Sequence, residues 1–131
     1  VQPAHILDDW QAVGRGWPGL EERAYAFADM VTAGALLHLG SDAPVAPLDP
    51  WLAMSTAVAR STPGGSIWSP SQRLSNEEVL AASVDGVGPI AVGSRADLVM
   101  LVADPLALSA EELKQVRPVA TVVAGAIAHT D

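Results

Sequence analysis

The sequence predicts an α/β fold in two unlike parts. Residues 1 to about 83 read as parallel strands joined by helices, and residues from about 86 read as short β pieces. Three observations carry this. A strand, a helix and a second strand follow one another in the first forty residues. Two S-x-x-E capping boxes open short helices further on. The chain then closes on two apolar runs around a tight turn.

Each element has a local reason. VQPAHI, Val1 to Ile6, reads as a strand end. A turn-rich connection follows, with Gly14, Gly16, Pro18 and Gly19. Leu20 to Ala33 carries a helical stripe of Leu20, Ala24, Phe27, Ala28 and Val31. Glu21 and Glu22 sit in its first turn, where the helix dipole favours anions. Gly34 stands where a glycine C-cap belongs. Ala35 to Leu39 is a short apolar strand that breaks at Gly40 and is followed by Asp42. Asp49 and Pro50 form an N-cap and N1 pair for a helix from about Trp51 to Arg60. STPGGSIWSPSQR is a loop. Ser75 and Glu78 box a helix running to about Ser83. Val84 to Gly93 is glycine-rich and turning. Asp97 to Ala103 reads as a buried strand, and Ser109 and Glu112 box a helix ending near Gln115. Val119 to His129 reads as two strands about Ala124-Gly125.

Composition narrows the function classes. The chain has 131 residues, the size of one ordinary domain. Half of it is hydrophobic, so disorder is excluded. A formal net charge of −8 and seven scattered basic residues argue against nucleic acid or an anionic membrane as partner. No apolar run approaches the ~20 residues of a membrane span. The absence of cysteine excludes disulfides and thiolate chemistry, and a cytoplasmic setting fits. The chain opens on Val1 without Met, which leaves room for a mature form or a piece of a longer protein. The parallel part is also incomplete. Two strands with three helices neither cover both faces of a sheet nor close a barrel. The missing strands are expected on another segment of a longer chain.

Four motifs then carry a likeness. They are QPAH (Gln2 to His5), GSDAPVAPLDPW (Gly40 to Trp51), GSRADLVMLVADPL (Gly93 to Leu106) and the closing VATVVAGAIAH. Together, in this order, they resemble the C-terminal part of the amidohydrolase superfamily, and within it the amidohydrolase 3 (YtcJ-like) group of metal-dependent hydrolases. The resemblance covers nearly the whole chain. It implies the last two βα units of a (β/α)8 TIM-like barrel plus the C-terminal strands of a small β-sandwich. Val1 to His5 would be barrel strand seven and Leu36 to Ser41 strand eight. Residues 1–85 would belong to the barrel and 86–131 to the sandwich.

The resemblance also implies chemistry. Asp42, just past strand eight, would lie at the barrel mouth, where active sites of this fold sit. In the family this aspartate is a metal ligand and takes a proton from the attacking water. That role suits a carboxylate kept ionised beside a divalent ion. His5 would end strand seven at the same mouth and contact substrate. Gln2 is a weaker candidate. Ser41 alternates to the other strand face and has no histidine base assigned to it.

The remaining polar residues have plainer readings. His38 shares the Asp42 face about 13 Å deeper, at ~3.3 Å per residue, and reads as a hydrogen-bonded core histidine. Arg60 and Arg73 flank the Trp68 loop and read as solvated surface arginines. Trp51 and Trp68 read as packing residues, and His129 as exposed. Asp97 and Asp104 read as strand and turn residues without catalytic work.

The expected function is hydrolysis of a non-peptide C–N bond (an amide, N-formyl, N-acyl or cyclic amide) by a longer parent enzyme. The parent would use a divalent metal, zinc, and a small-molecule substrate. The family's H-x-H, its bridging lysine or carboxylate and its two further histidines have no match here. The chain alone is therefore expected to bind no catalytic metal and to be inactive. Exposed barrel and sandwich faces would make it self-associate into homo-oligomers. The competing reading is a non-catalytic remnant domain acting in protein assembly. A stand-alone acidic binding protein has no motif to support it.

Overall fold

A computed structural model describes residues 1–130. Five helices and one three-stranded sheet account for its regular structure. The core gathers Ile6, Val13, Phe27, Met54, Ala57, Trp68, Leu74 and Val79. No helix among the described residues is long and apolar enough to cross a membrane.

No strand forms over Val1 to Ile6, where a strand end was expected. Pro3–His5 form one 3-10 turn that runs directly into helix α1, Ile6–Gly16. Pro3 fixes φ and lacks an N–H, so it suits the first turn of a helix better than a ladder. The connection expected after Ile6 is therefore helical as far as Gly16. Ile6 and Val13 are its buried face, Asp8 and Asp9 favour its start, and Gly14 and Gly16 fall only in its last turn.

The helix expected over Leu20 to Ala33 is broken in two. A 3-10 turn at Glu21–Arg23 and helix α2, Phe27–Thr32, flank Tyr25, whose φ is 54°. Gly34, at φ 83°, ends α2 as expected. Ala35 to Leu39 joins no sheet. It lies beside the start of the chain, where the Val1 amino group donates to His38 O (2.7 Å) and Gly40 N–H donates to Val1 O (2.9 Å), and Leu39 N–H donates to Ala82 O (2.9 Å). One residue that donates to one neighbour and accepts from the neighbour two places on makes a single parallel step. Leu37 and Leu39 pack half-buried on the core, while Leu36 and His38 are exposed. This is the alternation of an extended segment.

The capped helices form where the local signals put them. Helix α3, Pro50–Ala59, starts on Asp49, whose carboxylate accepts from Trp51 and Leu52 N–H. Helix α4, Asn76–Ala81, and helix α5, Ala110–Gln115, both open with complete capping boxes, on Ser75/Glu78 and Ser109/Glu112. Helix α5 buries Leu113 against α3, and Ser55 Oγ donates to Ala110 O at 2.7 Å. Asn76 Nδ2 donates to Pro105 O and Leu108 O, at 2.9 and 2.7 Å. These bonds tie the C-terminal third to the helices before it.

The sheet is antiparallel, in the order β1 (Leu98–Met100), β2 (Ala120–Val123), β3 (Ala126–Thr130). Ala124 and Gly125 both have positive φ, 50° and 80°, as a type I′ hairpin requires. The strand expected over Asp97 to Ala103 is only three residues long and is exposed rather than buried. No other layer of the described residues covers this sheet. Asp97 accepts Ala124 N–H and pairs with Arg95, and Asp104 caps the turn at Pro105–Ala107, both structural duties as expected. His129 is exposed, also as expected.

Arg60 departs most from its sequence reading. It is fully buried, not solvated. Its guanidinium lies 4.9 Å from the Trp68 ring centre and 5.5 Å from that of Phe27. Nη1 donates to Tyr25 O (2.8 Å), Nε donates to Trp68 O (3.3 Å), and Nη2 is buried without a partner. Burial lowers its pKa to about 10, against the pull of Glu22 and Tyr25. The aromatic faces and carbonyls offset the loss of water. Trp68 is core, as expected, Trp51 packs half-buried against that core, and Arg73 is exposed as expected.

Tyr25 is the chain's one tyrosine, so its titration can be read alone. Burial, helped by its hydrogen bond to Asp9, raises the phenol above its ordinary 10.0, while Arg60 opposes the shift. A group whose folded pKa is raised contributes stability below its unfolded pKa and loses it as pH climbs through the folded one. The folded protein is thus expected to form phenolate only well above pH 10.0 and to lose stability there. Tyr25→Phe should flatten that alkaline loss. Ultraviolet titration with a half-point at the ordinary value would contradict this.

Candidate functional site

The two residues singled out for chemistry lie 37 positions apart and meet in space. His5 Nε2 is 3.8 Å from Asp42 Oδ2. The parallel step at Val1 is the cause, because it sets both segments side by side and running the same way. The 3-10 turn carries His5 up from one of them. The other runs past Gly40 to Asp42.

Their surroundings differ. The Asp42 side chain is 56% exposed and the His5 side chain 21%. His5 Nε2 is itself buried and has no hydrogen-bond partner. The 3.8 Å gap is too long for a hydrogen bond, so each group keeps free bonding capacity facing the other. Asp42 has φ 60°, a left-handed backbone that aspartate tolerates better than most residues. Val45 N–H donates to Asp42 O (2.8 Å) and closes the turn, and the Ala43–Pro44 peptide is cis.

The other candidates stand apart from this pair. Gln2 is exposed. Ser41 Oγ accepts from Ala43 N–H at 3.2 Å and has no bond to a histidine among the described residues. His38, expected as a bonded core histidine, is exposed on the face where no other described element packs. The Arg60 cluster, which sequence reasoning missed, shows no contact with the pair. Its aromatic partners are Trp68, eight residues on, and Phe27, 33 residues before it.

Comparison with known proteins identifies the chain. A profile of the amidohydrolase family matches residues 1–129. The chain belongs to this family. It is 30% identical to the N-substituted formamide deformylase of Arthrobacter pascens over 92% of its own length, but over only 24% of that protein. It is 28% identical to the putative amidohydrolase YtcJ of Bacillus subtilis over 98% of its length and 27% of that protein. It is 37% identical to Protein LONG AFTER FAR-RED 3 of Arabidopsis thaliana over 77% of its length and 20% of that protein. The chain thus spans about a quarter of the length of the curated relatives it matches. No solved structure matches it.

Members of this family are typically metal-dependent, so the pair must be tested against a metal. One imidazole nitrogen and one carboxylate are suitable donors. A catalytic zinc needs three protein ligands, and no group of three His, Cys, Asp or Glu able to hold a metal occurs among the described residues. The residues present do not by themselves fit a catalytic metal. Isothermal calorimetry of this chain with zinc is expected to show no tight stoichiometric binding. A tight one-to-one isotherm would contradict the reading.

Proposed function

We propose that this chain is the C-terminal part of a metal-dependent hydrolase that cleaves a non-peptide C–N bond of a small molecule. The family match supports hydrolase chemistry. The observation that carries the finer reading is the convergence of His5 and Asp42 at one end of two parallel segments. In this reading Val1 to His5 and Leu36 to Ser41 take the places of barrel strands seven and eight. Residues 1–85 complete the barrel, and 86–131 supply strands of the small sandwich. The parent works in the cytoplasm.

Asp42 is the proton-handling carboxylate and one donor to the parent's metal, whose other ligands come from outside this chain. A divalent metal such as zinc, when bound, lowers the pKa of a water to about 7. That is the chemistry the metal would supply in the longer protein, making a water able to add to the acyl carbon. Asp42 would accept the proton lost by the water that adds to the acyl carbon and return it to the nitrogen as the C–N bond breaks. Asp42 is open enough to meet both atoms in turn. His5 has an unbonded Nε2 facing the same space, so it suits a polar atom of the substrate. The relative named for N-substituted formamides makes these compounds the first substrates to try.

The test is formate release by the full-length protein that carries this segment. The wild type is expected to hydrolyse N-substituted formamides, and Asp42→Asn to lower kcat about a thousandfold. Full activity in the variant would refute the role of Asp42.

The chain by itself is expected to associate. Leu36 is 91% exposed and Ile90 81%, and the faces of β1 and β3 are open apolar surface. Sedimentation of the 131-residue chain should show dimers or larger species, and a clean monomer would count against these surfaces being contact faces.

A further inference from the structure

We infer that Ser41 is a positioning residue for Asp42. The inference rests on the reading of Asp42 given above. Asp42 sits at φ 60°, where an L-residue is held only by what surrounds it. Two backbone bonds flank it. On its carbonyl side, Val45 N–H closes the turn at 2.8 Å. Across the Asp42–Ala43 peptide, the Ser41 hydroxyl accepts Ala43 N–H at 3.2 Å. A serine side chain that accepts from the residue two places on forms a local turn of its own.

The consequence follows from connectivity. Ser41 is fixed from behind, because Gly40 N–H is bonded to Val1 O and Leu39 N–H to Ala82 O, both at 2.9 Å. Its hydroxyl therefore refers the next peptide to a held segment. Without it, only the Val45 bond holds the peptide after Asp42, the left-handed turn at Asp42 loosens, and a change in its φ turns the carboxylate away from His5. Ser41 is no nucleophile in this arrangement. Its oxygen accepts a backbone bond, and no histidine is bonded to it among the described residues. Threonine keeps the same hydroxyl acceptor and alanine removes it.

The experiment compares Ser41→Ala, Ser41→Thr and Asp42→Asn in the full-length protein. Two quantities are read: kcat and KM for N-substituted formamides, and amide exchange over residues 40–46 in the metal-free protein by mass spectrometry. Ser41→Ala should lower kcat about tenfold with KM nearly unchanged, the mark of a misplaced group. It should also speed exchange in that segment about fivefold, as loss of one hydrogen bond implies. Ser41→Thr should restore both. The positioning role is overturned if Asp42→Asn abolishes turnover while Ser41→Ala leaves kcat and exchange as in the wild type. It is also overturned if threonine fails to rescue. If Asp42→Asn keeps full activity, or the wild type hydrolyses none of these substrates, the functional reading falls, and the positioning role falls with it.

Discussion

The site depends on one backbone contact. Val1 donates to His38 O and accepts from Gly40 N–H, a single parallel step. This step gives two segments 37 residues apart the same direction and the same end. Leu37 and Leu39 then turn into the core, so the alternate positions face the other way. His5 and Asp42 come within 3.8 Å because both leave these segments at that end. A slip of one residue in the pairing would exchange the faces and take His38 toward the core in place of Leu37.

Behind this step lies a core organised by a buried cation. Arg60 ends helix α3 in a left-handed conformation, with φ 50°. Its side chain joins the Tyr25 and Trp68 carbonyls, and its faces meet Phe27 and Trp68. That one residue holds the break at Tyr25, the loop through Trp68 and the end of α3 together. A lysine would supply a point charge without the planar fork that reaches two carbonyls at once. The Ser69 hydroxyl adds a bond to Glu21 O at 3.1 Å and fixes the same loop to the turn before Tyr25.

The sequence made the caps legible because capping is local. Asp49, Ser75 and Ser109 act on backbone N–H groups two or three residues away, and all three form as read. The Ala124-Gly125 hairpin was legible for the same reason. Helix α1 was hidden by Gly14 and Gly16, which look like breakers but fall in its final turn. The break at Tyr25 and the burial of Arg60 were hidden because they are one event between residues 35 apart. At the site, the residue types were legible in QPAH and GSDAP, and their meeting was legible only through the family likeness. His38, Leu36 and β1 are exposed in a chain that spans about a quarter of the length of its relatives, and in the function proposed above those faces would meet other parts of a longer protein.

The central claim is that His5 and Asp42 form one wall of an active site whose other walls come from the same polypeptide. Sequencing the coding DNA upstream of Val1 tests it most directly. The account predicts an open reading frame that continues in phase far upstream and contains an H-x-H near its start. A stop codon and a start site immediately before Val1 would contradict it, and would leave Asp42 an aspartate on a free-standing domain.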